Sequence, residues 1–150
     1  VYHHLGRLKE ESGDFDEAIS YHTSSVELKE QEGDTMGLAT SNHQLGNLAL
    51  QRGEFEEAID FYITALQQEK EIGDRQGLAR TGAQLGLAYR ETGQIEKALL
   101  NLVKAYQLLQ KLRSPLASEV LGKVEEIQDL VTADVFNKIL RQASLSTSVQ

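Results

Sequence analysis

At 150 residues, of which 40% are hydrophobic and 25% are charged, the chain is long enough to bury a core and too apolar to be disordered. Its formal net charge of −8 disfavours nucleic acid as a partner, because phosphate recognition needs a basic face. No apolar run approaches the roughly 20 residues that a membrane-spanning helix needs. The absence of cysteine excludes disulfides and thiolate metal sites and fits a reducing, cytoplasmic setting.

A repeat with a spacing of 40 residues organises the chain. The residues that return in phase are Leu5-Gly6, Leu45-Gly46 and Leu85-Gly86, then Gly13, Gly53 and Gly93, then Ala18, Ala58 and Ala98. Unrelated positions would not keep one register over three copies, so the sequence predicts three structural units, at about 1–33, 34–73 and 74–113.

Each unit is predicted to contain two helices. Apolar residues recur at steps of three and four, which is the period of a helix that buries one stripe. In chain order the pattern predicts helices near 1–12, 15–32, 35–52, 55–72, 75–92 and 95–112. The predicted helix at 1–12 is shorter than its counterparts at 35–52 and 75–92, so we expect Val1 to lie inside a repeat of a longer array.

Helix ends and helix contacts have separate signals. Gly33 and Gly73 are expected to end helices in the left-handed conformation, and Asp34 and Asp74 to cap the helices that follow. Asp14 is expected to cap the helix at 15–32. The recurring in-helix glycines would each cost about 1 kcal/mol of helix propensity relative to Ala. We expect this cost to be offset by close packing against the recurring alanines of the partner helix.

The pattern changes after Leu112. Ser114-Pro115 is a helix start, with Ser as cap and Pro at the first helical position, and this helix should reach about Leu130. A final helix is expected at about 133–143. We interpret 114–143 as capping helices that cover the apolar end of the repeats, which makes 1–143 a single domain, followed by a disordered tail at 144–150.

The sequence resembles the tetratricopeptide repeat over about residues 1–112. The residues that match its signature in order are Leu45-Gly46, Gly53, Ala58, Tyr62 and Ala65, and again Leu85-Gly86, Tyr89, Gly93, Ala98 and Ala105. The 40-residue spacing, with a Gly-Asp linker and no Pro, is similar to the repeats of Leu-Gly-Asn spindle-orientation proteins, kinesin light chains and prokaryotic signalling ATPases. The resemblance implies an all-α, right-handed α-solenoid of three helix-turn-helix units plus the capping helices. The first helix of each unit would line a concave peptide-binding groove.

Transferring that groove register gives candidate peptide-binding residues in each unit. They are His3, Arg7 and Glu10 in the first unit, Thr40, His43, Gln44, Asn47 and Leu50 in the second, and Arg80, Gln84, Leu87 and Arg90 in the third. Asn47 matches a position where the family often carries an Asn that bonds a peptide backbone. Arg7 and Leu87 depart from that pattern, so the paired clamp for a C-terminal carboxylate is incomplete and chaperone-tail binding is not supported.

Two kinds of peptide remain open. Arg7, Arg80 and Arg90 on the groove face favour a peptide that carries Glu or Asp. The alternative is a hydrophobic ligand gripped by Leu50 and Leu87.

Catalytic and metal chemistry have little basis in the sequence. His3 and His43 lie one repeat apart on the same predicted face, but no carboxylate completes a metal motif at ligand spacing. Phosphate-binding, nucleotide-binding, nucleophile-elbow and zinc-protease strings do not occur. We therefore predict a non-enzymatic protein without metal or cofactor.

The leading hypothesis is a protein–protein interaction scaffold, or adaptor, that forms a module of a larger regulatory protein. The rival is a structural segment that self-assembles into a homo-oligomer by stacking the N-terminal face of its first unit on a neighbouring copy. An enzymatic role would require a catalytic domain elsewhere in the protein.

Overall fold

The computed structural model describes residues 15–148, with side chains placed for 16–145. Seven α-helices occupy these residues: α1 (Phe15–Glu32), α2 (Thr35–Gln51), α3 (Phe55–Ile72), α4 (Arg75–Glu91), α5 (Ile95–Lys111), α6 (Leu116–Ile127) and α7 (Ala133–Ser148), with a 3-10 turn at Gln128–Leu130. The first five begin and end within one residue of the predicted bounds, and the all-α fold is confirmed. The predicted helix at 1–12 and the predicted cap of α1, Asp14, lie outside the described residues.

The chain divides at the Gly73–Asp74 bond into two compact units, which are larger than the three predicted repeat units and are called unit 1 and unit 2. The described part of unit 1 contains α1, α2 and α3, and that of unit 2 contains α4 to α7. The expectation of a single domain over 1–143 stays a prediction.

Glycine occupies the helix ends where the sequence predicts it. Gly33 follows α1 with φ 72° and Gly73 follows α3 with φ 73°. This left-handed backbone is costly for residues that carry a Cβ, so glycine is the favoured residue at both positions. Gly53 and Gly93, in the turns after α2 and α4, also have positive φ. The four junctions are therefore fixed by local backbone chemistry.

Aspartate begins the helix after each Gly-Asp linker, as predicted. Asp34 Oδ1 accepts from the backbone N–H of Gly37 at 2.9 Å, and Asp74 Oδ1 accepts from that of Gly77 at 2.9 Å. Each bond satisfies one of the backbone donors that a helix start leaves without an intrahelical acceptor. The repeated linker thus stops one helix and starts the next.

The glycine inside α2 lets α3 approach closely in unit 1. A Cβ placed on Gly46 would lie 2.5 Å from Cε1 and 2.7 Å from Cδ1 of Tyr62, which no real side chain tolerates. Ala58 and Ala65 of α3 are fully buried. The predicted close packing is confirmed, although the group that occupies the space beside Gly46 is an aromatic ring.

Unit 2 repeats this contact with a different side chain. A Cβ on Gly86 of α4 would lie 2.7 Å from Cγ of Leu102 and 3.1 Å from the backbone oxygen of Ala98. Ala98 and Leu102 of α5 are buried. The glycine is therefore needed for packing in both repeats, whichever residue the partner helix provides.

Helices α6 and α7 complete the core of unit 2. The helix α6 begins at Leu116, one residue later than predicted, so that Pro115 takes the cap position with helical dihedral angles. Ser114 Oγ accepts from the N–H of Leu116 at 3.2 Å. The buried residues that share the core cluster with α5 are Val120, Val124 and Ile127 of α6 and Ile139 and Ala143 of α7. This packing is what covering helices require.

The prediction of a disordered tail from residue 144 is wrong for 144–148, because α7 continues to Ser148. Ala143, at the predicted end, is fully buried, and Gln107 of α5 donates to Ser144 Oγ at 3.4 Å. The segment also contains neither Gly nor Pro, so no residue interrupts the backbone hydrogen bonds there.

The first test compares two glycines of α4. Gly86→Ala should lower the free energy of unfolding by about 1–3 kcal/mol, because the added methyl group clashes with Leu102 and with the backbone of Ala98. Gly82→Ala is the matched control, since its Cβ would lie 4.0 Å from the nearest atom, Cβ of Ala105. The control should be neutral or stabilising by up to about 1 kcal/mol through helix propensity. Equal effects in chemical denaturation would contradict the packing described.

The second test removes the covering helices. Truncation after Arg113 should expose the apolar cluster of α5 and cause aggregation or loss of cooperative unfolding. Sedimentation velocity and thermal circular dichroism measure the two effects. A truncated chain that stays monomeric and melts like the full chain would make α6 and α7 an appendage.

Candidate functional site

Five predicted site residues share one face of α2 in unit 1. We call them the α2 stripe; they are Thr40, His43, Gln44, Asn47 and Leu50. Thr40 is exposed and the other four are partly buried. The opposite face of the helix is in the core, through Ala39, Ser41, Asn42, Leu45, Gly46, Leu48 and Ala49. Buried residues on one face and accessible residues on the other orient the stripe outward.

Hydrogen bonds hold the central side chain of the α2 stripe. The hydroxyl of Tyr62, on α3, donates to Asn47 Oδ1 at 2.6 Å. Asn47 Nδ2 donates to Gln44 Oε1 at 3.5 Å, which is longer than an ordinary hydrogen bond. The ring of His43 lies 5.8 Å from that of Tyr62, centroid to centroid and tilted by 58°. One buried phenol thus contacts two residues of the stripe.

Four predicted site residues share a face of α4 in unit 2, and we call Arg80, Gln84, Leu87 and Arg90 the α4 stripe. Arg80 is exposed and the other three are partly buried. The Arg90 guanidinium pairs with Glu126 of α6 at 3.0 Å and with Glu91 at 3.6 Å. A ligand would therefore have to compete with two carboxylates for Arg90.

Sequence reasoning missed two residues that act on these stripes. The sequence identifies Tyr62 only as a residue of the repeat signature, but Tyr62 is fully buried and its hydroxyl reaches Asn47. The repeat spacing contains the signal: Tyr62 and Asn47 belong to one repeat, and both are replaced by Leu one repeat later, at Leu102 and Leu87. Glu126 has no such signal, because it follows the last repeat.

The remaining predicted site residues, His3, Arg7 and Glu10, lie outside the described part of the chain. Among residues 15–148 no group of three or more His, Asp and Glu side chains is placed to hold a metal ion. His22 is fully buried in α1. No helix among the described residues combines the length and the apolar character needed to cross a membrane.

The side chains of the two stripes are chemically suited to hydrogen bonding. Their hydroxyl, imidazole, amide and guanidinium groups donate and accept hydrogen bonds, and two leucines add apolar surface. These are the groups that bind peptide backbone and carboxylates.

Comparison with known proteins agrees with the repeat described above. The family model described as Tetratricopeptide repeat matches residues 37–111, half of the chain, and a second model of the same description matches residues 1–36. The chain belongs to the tetratricopeptide repeat family. Such repeats generally mediate protein–protein interaction and are typically non-enzymatic. Among curated proteins, none matches this chain significantly.

Solved structures show the same fold at low sequence identity. BtubC (BKLC) from P. vanneervenii superposes with a TM-score of 0.80 at 18% identity, over 99% of this chain and 62% of that one. The apo form of RapI superposes with a TM-score of 0.82 at 14% sequence identity, over 96% of this chain and 53% of RapI. The N-terminal domain of stress-induced protein-1 (STI-1) from C. elegans superposes with a TM-score of 0.67 at 20% sequence identity, over 85% of this chain and 91% of that domain.

The likeness to these structures establishes a helical-repeat fold of the solenoid type. Their identity to this chain is too low to establish more than the fold. The chain also spans less than two thirds of the length of BtubC and of RapI.

Proposed function

We propose that this chain is a scaffold that binds a peptide segment of a partner protein in the concave groove that the family resemblance implies, as a module of a larger regulatory protein, with the α2 stripe of unit 1 and the α4 stripe of unit 2 as the candidate contacts. The observation that carries the proposal is the Asn47 amide, which is partly exposed and is held by the buried hydroxyl of Tyr62 at 2.6 Å. A side chain fixed in advance binds a ligand at a lower entropic cost than a mobile one.

The α2 stripe suits a peptide backbone better than a charged group. Its polar residues are amides, a hydroxyl and an imidazole, and it includes neither Lys, Arg, Asp nor Glu. Amide side chains bond the N–H and C=O groups of an extended peptide without regard to its side chains. Leu50, partly buried in the same stripe, adds an apolar contact.

The α4 stripe adds a preference for acidic peptides. Arg80 is exposed, and a guanidinium can bind a carboxylate through two parallel hydrogen bonds. Arg90 contributes less, since Glu126 and Glu91 already compensate its charge. The acidic specificity therefore depends mainly on Arg80, and a ligand held only by Leu50 and Leu87 is the alternative outcome.

Asn47→Ala tests the peptide site directly. The probe is a peptide selected on the wild-type chain from a random 15-residue library. Its Kd should rise about fivefold to a hundredfold, because truncation leaves the peptide groups that bonded Asn47 unpaired. Asn101→Ala is the matched control: Asn101, on α5, bonds its own helix at Lys97 O over 2.8 Å. Equal affinity of both variants in isothermal titration calorimetry would remove Asn47 from the site.

Arg80→Glu tests the acidic specificity. With the same peptide, charge reversal should weaken binding at least tenfold at low salt and reduce the salt dependence of Kd, because the attraction it removes is screened by ions. Arg90→Glu should weaken binding less. Arg141→Glu, an exposed position on α7, is the control for a general change in net charge. Binding of wild type that is insensitive to salt would favour the hydrophobic ligand.

A further inference from the structure

We infer that Glu126 is a specificity-determining residue, because its carboxylate already binds the Arg90 guanidinium and competes there with the carboxylates of a ligand. As a result, the α4 stripe gains little affinity from a second acidic residue of a peptide. The inference rests on the proposed function, since it concerns how this stripe selects its ligand. It gives α6, which otherwise completes the core of unit 2, a part in recognition.

The contact between Arg90 and Glu126 has the geometry that a bound peptide carboxylate would have. Arg90 Nη1 donates to Glu126 Oε2 at 3.0 Å, a normal length for an N–H···O hydrogen bond. The carboxylate of Glu91 lies 3.6 Å from Arg90 Nη2, which is close enough for an ion pair but too long for a hydrogen bond. Glu126 is therefore the group that a ligand has to displace.

Both partners of this ion pair are accessible to solvent, so the pair can open. The side chain of Arg90 is 31% exposed and that of Glu126 is 58% exposed. Opening an exposed ion pair leaves neither charge buried without a partner, and such a pair contributes little to stability. A peptide carboxylate that enters replaces one carboxylate by another, so the net gain in binding is small.

Buried neighbours fix the helix from which Glu126 reaches Arg90. Val124 and Ile127 of α6 are each 4% exposed and belong to the apolar cluster that includes α5. The carboxylate of Glu126 is thus tethered beside the guanidinium at a high effective concentration, whereas a ligand has to bring its carboxylate from solution. This tether is what makes Glu126 an effective competitor.

The repeat itself does not require a charge at this position. One repeat earlier, Leu50 occupies the position of Arg90, and both side chains are partly buried. An apolar residue therefore fits the same place on the first helix of a repeat. The ion pair is a particular feature of unit 2, as expected if it serves ligand selection.

The ligand that fits this arrangement is a peptide with a single essential acidic residue. Its carboxylate binds the exposed guanidinium of Arg80. A second carboxylate at Arg90 first has to break the bond to Glu126, so strongly acidic peptides should have little advantage. Glu126 thus limits the acidic preference of the α4 stripe.

Selection from one random 15-residue library on two full-length chains, wild type and Glu126→Gln, tests the inference. Glutamine keeps the size of the side chain and removes its charge. Peptides selected on the variant should contain more Glu and Asp than those selected on wild type. At low salt they should bind the variant about two- to fivefold more tightly than wild type, which is the range for an exposed ion pair.

Glu125→Gln is the matched control, because Glu125 is exposed, precedes Glu126 on α6 and gives the same change in net charge. Its selected peptides and its Kd values should match those of wild type. Equal gains in acidic content and affinity for both variants would assign the effect to net charge and overturn the inference.

The cycle with Arg90→Gln identifies the residue through which Glu126 acts. In that background Glu126→Gln should leave the Kd of the selected peptides unchanged, because the guanidinium for which the carboxylates compete is gone. A gain in affinity that persists without Arg90 would overturn the inference.

A structural role of the ion pair would appear in another measurement. We expect Glu126→Gln to change the melting temperature no more than Glu125→Gln does, and a lower melting temperature with unchanged Kd would overturn the inference. Peptides that wild type and Glu126→Gln bind equally well would leave the proposed function intact and overturn only the competition. A library from which neither chain retains a peptide would overturn both.

Discussion

The structure of each unit depends on the close approach of two helices at a glycine. The helices are α2 and α3 in unit 1 and α4 and α5 in unit 2. At Gly46 and at Gly86 a methyl group would overlap the side chain of the partner helix, at 2.5 Å and 2.7 Å from its nearest atom. The helix propensity lost at each glycine, about 1 kcal/mol, is offset by packing that alanine would prevent. The caps at Asp34 and Asp74 begin α2 and α4, which carry these glycines, and Gly73 ends α3.

The same contact links the fold to the proposed binding site. In one of the two units the side chain that packs against the glycine also bonds the residue that follows this glycine, which belongs to the α2 stripe. In unit 1 that side chain is Tyr62, whose hydroxyl reaches Asn47. In unit 2 the equivalent pair is Leu102 and Leu87, and the exposed polar residue of the α4 stripe is Arg80. Two different residues at one buried position, Tyr62 and Leu102, are thus compatible with the same packing against a glycine.

Local sequence signals made most of the fold predictable. Contacts with residues outside the repeat could not be predicted in this way. Helix period, glycine ends and aspartate caps are properties of short segments, so the bounds of α1 to α5 agree with prediction within one residue. The end of α7 depends on Ala143 being buried against another helix, which composition does not reveal. Arg90 was assigned to the groove from its register, but its partner Glu126 belongs to α6, beyond the last repeat. Asn47 was predicted from family resemblance, and its buried partner Tyr62 was not.

Mapping a bound peptide on the chain tests the central claim most directly, namely that the outward stripes of the first helices bind the ligand. Backbone and side-chain amide resonances of the ¹⁵N-labelled chain would be followed during titration with a peptide selected from a random library. The account predicts that the largest shifts occur on α2 and α4, with the Asn47 side-chain amide among them and the outward faces of α1 and α3 unchanged. Large shifts confined to α1, α3 or α7, with the Asn47 amide unaffected, would contradict it.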